Sequence, residues 1–434
     1  MHDVALTPLL VSALIFALTY IGIFSGRVHR TTVGLVGAVA MIALGSWFSF
    51  YDMHKAVEAI DFNTITLLLG MMIVVGLFKD TGFFQYMAIR AAKLARGRPW
   101  LLLVYLGVVT SLISMVLDNV TTIIIMVPVT ISIADIMGIS ALPFLVSEVL
   151  LSNIGGVATL IGDPPNILIG SAAGLTFTDF LAHLAPIVLV AWIIAQGILL
   201  FLFRSILMRK PESIDHLMRM DESQAIIDPL TTARMLKVLG VTILLFLVHE
   251  RIGLEPGLVA LIGACLGLLW IRPNIDKLLS EIHWEVLLFF MSLFVIVGGL
   301  EAGGILTFAG RAITQLVEHG MLVTSLVILW VSAIASGVLS NVPFTIAILP
   351  ILKGLAIQGI AVGPLWWALA LGVGFGGNMT PIGAASNVFV VSLSNSMGEP
   401  LTFRQWLRSG SLVAVASCAV ASAAFFIAFE LGIL

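Results

Sequence analysis

Four short polar stretches interrupt the apolar runs of this chain, and they hold the residues best suited to chemistry. They are Asp118-Asn119-Val120-Thr121-Thr122, the run from Asn153 to Asn166 (NIGGVATLIGDPPN), Ser340-Asn341-Val342-Pro343-Phe344-Thr345, and the run from Gly376 to Asn387 (GGNMTPIGAASN). Pro164-Pro165 and Thr380-Pro381 beside glycines stop a helix and free backbone N–H and C=O groups. Asn, Ser and Thr add neutral oxygens and amide donors. Together they would make a polar cage for a small hydroxylated or ionic solute, with Asn119, Thr121, Thr159, Asn166, Ser340, Asn341, Asn378, Thr380, Gly383 and Asn387 as its expected substrate-binding positions. Three acids accompany them: Asp118, Asp163, and Glu148 in the run leading into the second stretch. Ionisable residues at membrane depth are costly and usually functional, so these three are the proton-coupling candidates. Plainer roles compete. Asp118 and Asp163 also suit helix caps, worth about 1 kcal/mol each, and Gly and Asn let helices pack closely and hydrogen-bond. Capping and titration are compatible. Lys353 is either a counter-ion or a side chain snorkelling outward.

The elements that must position these residues are membrane helices. Of 434 residues, 60% are hydrophobic and 10% charged, with a mean hydropathy of +1.13. Soluble domains carry roughly a quarter charged residues, so a water-soluble fold is excluded. About 20 apolar residues per crossing allow on the order of a dozen segments. A net charge of −3 gives no reason to expect nucleic acid. Cys265 and Cys418 stand alone in apolar runs, which leaves no disulfide framework and no Cys/His metal cluster, and no cofactor is expected. The first apolar run, about Leu9–Phe24, lacks a basic n-region and a cleavage site and reads as a retained span. Enzyme motifs fail. His249-Glu250-Arg251-Ile252-Gly253 lacks the second histidine of HExxH, and Gly170-Ser171-Ala172-Ala173-Gly174 has the wrong spacing for a nucleophile elbow. No Walker A sequence occurs, so ATP would have to come from a separate ATPase subunit.

The chain reads as a duplication. A shift of 222 residues aligns Gly76 with Gly298, Gly82 with Gly304, Leu117 with Leu339, Asn119 with Asn341, Val120 with Val342 and Pro128 with Pro350. A shift of 221 aligns Gly155-Gly156 with Gly376-Gly377, Thr159 with Thr380, Ile161-Gly162 with Ile382-Gly383 and Asn166 with Asn387. The expected organisation is a first repeat over 1–203, a charged linker over 204–236, and a second repeat over 237–434. Phe83–Arg98 reads as an interfacial amphipathic helix with Phe83, Met87 and Leu94 on one face. Seventeen Lys and Arg fall on one side of the predicted topology against four (Lys55, Arg251, Arg311, Lys353) on the other. The positive-inside rule then puts the linker in the cytoplasm and both termini outside. Each half crosses an odd number of times, so the repeats are inverted, as in secondary transporters with sites at midplane helix breaks. The predicted fold is all-α and polytopic: two inverted repeats of about five transmembrane helices, each with a re-entrant hairpin and a broken helix. Residues 100–137 and 321–357 read either as hairpins or as paired spans. Their polar joints, without glycine, favour hairpins.

On Leu117-Asp118-Asn119-Val120-Thr121-Thr122 and Ile154–Asn166, with its GDPPN segment, the chain resembles the ion transporter superfamily, within it the group of ArsB arsenite permeases, NhaD-type sodium/proton antiporters and P proteins. The resemblance runs nearly end to end. It implies a multi-pass protein of a bacterial inner membrane, with Asp118, Asn119, Thr121, Asp163 and Asn166, and Ser340, Asn341, Thr380, Gly383 and Asn387, as two cation and substrate sites. A tip reading Asp-Asn-Val-Thr rather than Ser-Asn-Thr favours proton coupling over a sodium–dicarboxylate site. The lean body is most similar to an ArsB arsenite efflux permease exchanging arsenite or antimonite for protons. A sodium/proton antiporter, a P-protein-like anion transporter and a non-transporting scaffold are the rivals. The resemblance also leaves an ATPase subunit and a homodimer open as partners, beside the bilayer itself.

Overall fold

The computed structural model describes residues 6–209, 211, 218–397 and 399–432, with the side chains of 306–309 and 311–312 left aside. Lys210, residues 212–217 of the linker and the Arg311 side chain therefore lie outside the described residues. Among those described, the regular structure is helical, with nine helices long and apolar enough to cross a membrane.

The same order of elements occurs twice. Two spans come first, Leu6–Ser25 and Arg30–Trp47, answered by Pro229–Val248 and Pro256–Ile271. A short helix follows, Met53–Ala59 or Ile275–Glu281, each begun by a capping side chain that accepts a backbone N–H, Asp52 or Asn274. Next come the spans Phe62–Lys79 and Trp284–Ala302, then the helices Phe83–Leu94 and Leu306–Val317. Each half then forms a hairpin, Pro99–Ser114 with Asn119–Met137, and Met321–Leu339 with Asn341–Ile357. A broken pair closes the pattern, Leu142–Gly156 with Pro164–Ala173, and Gly363–Gly376 with Ala385–Ser396. The final spans are Ala185–Leu202 and Leu412–Glu430.

Depth in the fold follows from residue type. Every residue from Pro143 to Gly156, and from Leu365 to Gly376, is buried, so the first arms of the two broken pairs form the centre of the fold. Glycine permits this. A Cβ on Gly155 would come within 2.8 Å of the Ser111 carbonyl oxygen, and one on Gly376 within 2.3 Å of the Ala333 oxygen, at equivalent crossings of hairpin and broken helix. Pro128 and Pro350 sit inside the second arm of each hairpin. Leu117, Asn119 and Asn341 at the two joints are buried in protein.

The helix Phe83–Leu94 forms, but its buried face is Phe84, Ala88, Ala91 and Ala92, while Leu94 is 53% exposed and Phe83 and Met87 are only half-buried. Alanines four, seven and eight residues after Phe84 let the helix lie close against neighbouring helices.

Candidate functional site

The two breaks are braced by the same atoms in each half. Asn166 Nδ2 donates to the carbonyls of Gly156 (3.4 Å) and Thr159 (2.8 Å), and also to that of Val157 (3.0 Å). Asn387 Nδ2 donates to those of Gly377 (2.8 Å) and Thr380 (3.0 Å). The Thr159 hydroxyl donates to the Met115 carbonyl in one half and the Thr380 hydroxyl to the Gly337 carbonyl in the other. Ser114 and Ser336 repeat the pattern on Ser152 and Val373. Buried carbonyls released by a break need donors, and these side chains supply them. Gly162 and Gly383 serve the same end. A Cβ on either would come within 2.5 Å of a carbonyl oxygen, that of Gly156 or Gly377.

Behind the first tip lies an amide network centred on Asn153. Its Oδ1 accepts from Asn119 Nδ2 and from the Ser386 hydroxyl, both at 2.9 Å. Its Nδ2 donates to Asn378 Oδ1 at 2.7 Å and to Asn387 Oδ1 at 2.9 Å. Asn378 in turn donates to the Leu150 carbonyl at 3.0 Å. One buried amide thus ties the first hairpin tip to the second break.

A cavity of about 300 Å³ opens where the two tips meet the first break. Asp118, Asn119, Asp163, Ser340 and Asn341 line it, together with Arg30, His283 and Glu285. Asp118 caps its helix: its carboxylate accepts from the Thr121 N–H at 2.9 Å and from the Thr121 hydroxyl at 2.6 Å. Asp163 stands at the equivalent place before Pro164–Ala173, but its side chain caps nothing. Proline at the first helical position has no N–H to offer, and the carboxylate turns to Asn341 Nδ2 of the opposite repeat, 3.3 Å away. Ser340 is held at φ 68°, ψ 149°, a region rarely populated except by glycine. Its counterpart Asp118 is ordinary extended backbone at φ −64°, ψ 153°.

The structure therefore brings Asp118, Asp163, Asn119, Ser340 and Asn341 to one cavity. It does not bring Thr121, Thr159, Asn166, Asn378, Thr380, Gly383 or Asn387 to the wall, since their polar groups or close packing serve the backbone, the Asp118 cap or the Asn153 network. Glu148 lies apart, buried in Leu142–Gly156 and accepting from the Thr130 hydroxyl at 2.7 Å. Sequence reasoning passed over four residues. Asn153 was legible as the first polar residue of its stretch. Arg30, His283 and Glu285 gave no signal, because they sit at helix starts that only the fold carries to the tips. The breaks themselves hold no Lys or Arg, but the cavity does contain a cation, Arg30, whose guanidinium lies 5.5 Å from the Phe289 ring centre.

Residues 20–372 match the family model described as citrate transporter. An uncharacterized transporter of Mycobacterium tuberculosis is 40% identical over 95% of this chain and 96% of its own length. The human P protein is 30% identical over 95% of this chain and 59% of its own. Among solved structures, the YdaH transporter of Alcanivorax borkumensis shares the fold, with a TM-score of 0.62 at 13% identity over 97% of this chain and 99% of that one.

Proposed function

Taking as premise that this chain belongs to the citrate transporter family and is a membrane transporter of the kind that includes P proteins, we propose that it is a proton-coupled secondary transporter. A small polar solute would bind at the cavity between the hairpin tips, and access would alternate between the two membrane faces. The observation that carries this reading is Asp163. Its carboxylate is not spent on capping, faces Asn341 of the other repeat, and shares its cavity with Asp118. Two carboxylates on one cavity of low dielectric repel each other, and a proton or a cation bound between them relieves the repulsion. A group that must be neutralised in this way can carry a proton from one face to the other.

For the solute, arsenite or antimonite in exchange for protons fits the donor set. Both are neutral hydroxides near pH 7, matched by the Asn119, Ser340 and Asn341 side chains, and three carboxylates (Asp118, Asp163, Glu285) outnumber the one guanidinium. A second reading is favoured by Arg30: on the cavity wall it offers a counter-charge to a small carboxylate anion, in keeping with the family's description. Sodium/proton exchange uses the same carboxylates without a further solute.

The test is uptake into everted vesicles carrying an imposed proton gradient, comparing arsenite, antimonite, citrate and sodium. Accumulation of arsenite or antimonite that collapses with the gradient supports the first reading. Citrate flux lost in Arg30→Gln selects the second, and sodium flux alone selects the third. Proton-driven accumulation unchanged in both Asp163→Asn and Asp118→Asn overturns the coupling site.

A further inference from the structure

A second, smaller pocket of about 140 Å³ lies between Asp61, Phe294, Val297, Glu301, Ile346 and Lys353. Its lining is the repeat image of the larger cavity. The shift of 222 residues carries Met72 to Phe294, Val75 to Val297, Ile124 to Ile346 and Asp61 to His283, and one member of each pair lines each space. Asp61 and His283 stand at the same structural place, directly before the spans Phe62–Lys79 and Trp284–Ala302.

The two spaces sit at opposite ends of shared helices. In Trp284–Ala302 the larger cavity takes Glu285 and Val286 and the smaller pocket takes Gly298 and Glu301. Sixteen residues at about 1.5 Å each separate Glu285 from Glu301, roughly 24 Å along the axis. The second hairpin arm divides likewise, with Asn341 and Val342 in one space and Pro350 and Lys353 in the other. Two images of one lining, at the two ends of the same helices, are what inverted repeats produce when one half is open and the other shut.

We propose that the small pocket is the second vestibule of the transport path, cut off from the tips in this conformation, with Glu301 and Lys353 as the charged residues that meet a polar solute on the face opposite the larger cavity, while Asp61 beside them caps its span. This rests on the transport reading above and adds its second door. In the conformation described, Glu301 and Lys353 are exposed at its mouth and Ile346, 1% exposed, is buried on its wall, while its image Ile124 is half-buried on the larger cavity. When the tips move toward the second face, the roles of Ile124 and Ile346 exchange.

The test needs no solute. Ile124→Cys and Ile346→Cys are made singly in a background carrying Cys265→Ser and Cys418→Ser, with Val75→Cys and Val297→Cys as a second image pair. Each is exposed to a membrane-impermeant maleimide in right-side-out and in everted vesicles, and full labelling after denaturation shows that the thiol is present. The expected result is reaction of positions 124 and 75 from one face and of 346 and 297 from the other, with the 346 thiol at least tenfold slower. Reaction of both members of a pair from the same face overturns the proposal. So does a native 346 thiol that stays inert from both faces while 124 reacts, since the pocket is then a packing defect. Absent flux of arsenite, citrate and sodium would defeat the function proposed above yet leave this labelling result standing.

Discussion

At the scale of the residue, Asp163 and Ser340 are the positions where local preference yields to the site. Asp163 gives up a cap that its helix start invites, and Asp163→Asn keeps its size and its contact with Asn341 while removing the charge. Proton-driven accumulation is expected to disappear in this variant while downhill equilibration of the same solute persists. Parallel flux assays with and without a gradient read the difference. Ser340 holds a conformation costing about 1–3 kcal/mol for a residue with a Cβ, against roughly 0.5–1 kcal/mol of chain entropy for glycine. Ser340→Gly is therefore expected to unfold in detergent at an equal or higher temperature than the parent, and Ser340→Val several degrees lower. If the hydroxyl meets the solute, flux through Ser340→Gly falls even as its stability holds. Normal flux in that variant removes Ser340 from the site.

At the scale of the element, the breaks are built structures and not mere gaps in helices. Asn166 and Asn387 each satisfy carbonyls that the prolines and glycines set free. Removing such a donor leaves buried acceptors unpaired, at about 1–3 kcal/mol. Asn166→Ala and Asn387→Ala are thus expected to lower the unfolding temperature in detergent, whereas Asn341→Ala lowers flux with a smaller thermal shift. Equal thermal shifts in all three would erase the distinction between brace and tip. Both kinds of asparagine were visible in the sequence at matching offsets, but their roles were not. An offset shows which residues are equivalent, and only the direction of a side chain shows whether it meets a carbonyl or a cavity. Glu148 teaches the same lesson. It shares a run with the first break, yet its carboxylate points to Thr130 and away from the cavity.

At the scale of the whole molecule, the linker ties the halves together. Its short helix Glu222–Ala225 lies against Phe83–Leu94, with Glu222 paired to Lys93 and, at 2.6 Å, to Arg90. Ile227 N–H donates to the Thr81 carbonyl at 3.0 Å. The Lys93 ammonium first, and then backbone and Arg90 hydrogen bonds, hold the Glu222 carboxyl down at about 2, well below its ordinary range. A carboxylate shifted in that direction contributes stability above its unfolded value and loses it only as the pH falls toward the folded one. Lowering the pH from 7 to 5 is therefore expected to leave the clip closed. Glu222→Gln opens it already at pH 7, seen as faster amide exchange over 222–227 after correction for intrinsic rates. Equal exchange in parent and variant at pH 7 counts against the clip. The positive-inside distribution adds a topological expectation: a single cysteine in 218–227 labels only from the cytoplasm and one at 430 only from outside. Labelling of both from one face ends the inverted arrangement.

Composition, charge and the recurrence of Gly, Asn and Pro at 221 and 222 residues were enough to establish a helical membrane protein, its duplication, and the four polar stretches where helices stop. These features are local or periodic, and lipid imposes them on any chain that must satisfy its backbone within each segment. The tertiary structure alone decided which equivalent positions do different work. Arg30, His283 and Glu285 reach the cavity because helix packing carries helix starts to the tips, and Asp163 meets Asn341 across 178 residues of chain. Such meetings depend on how two copies of one pattern dock. A one-dimensional repeat is the same for every docking, so the pairing across repeats was settled only by the packing of glycine-lined helices around the buried breaks.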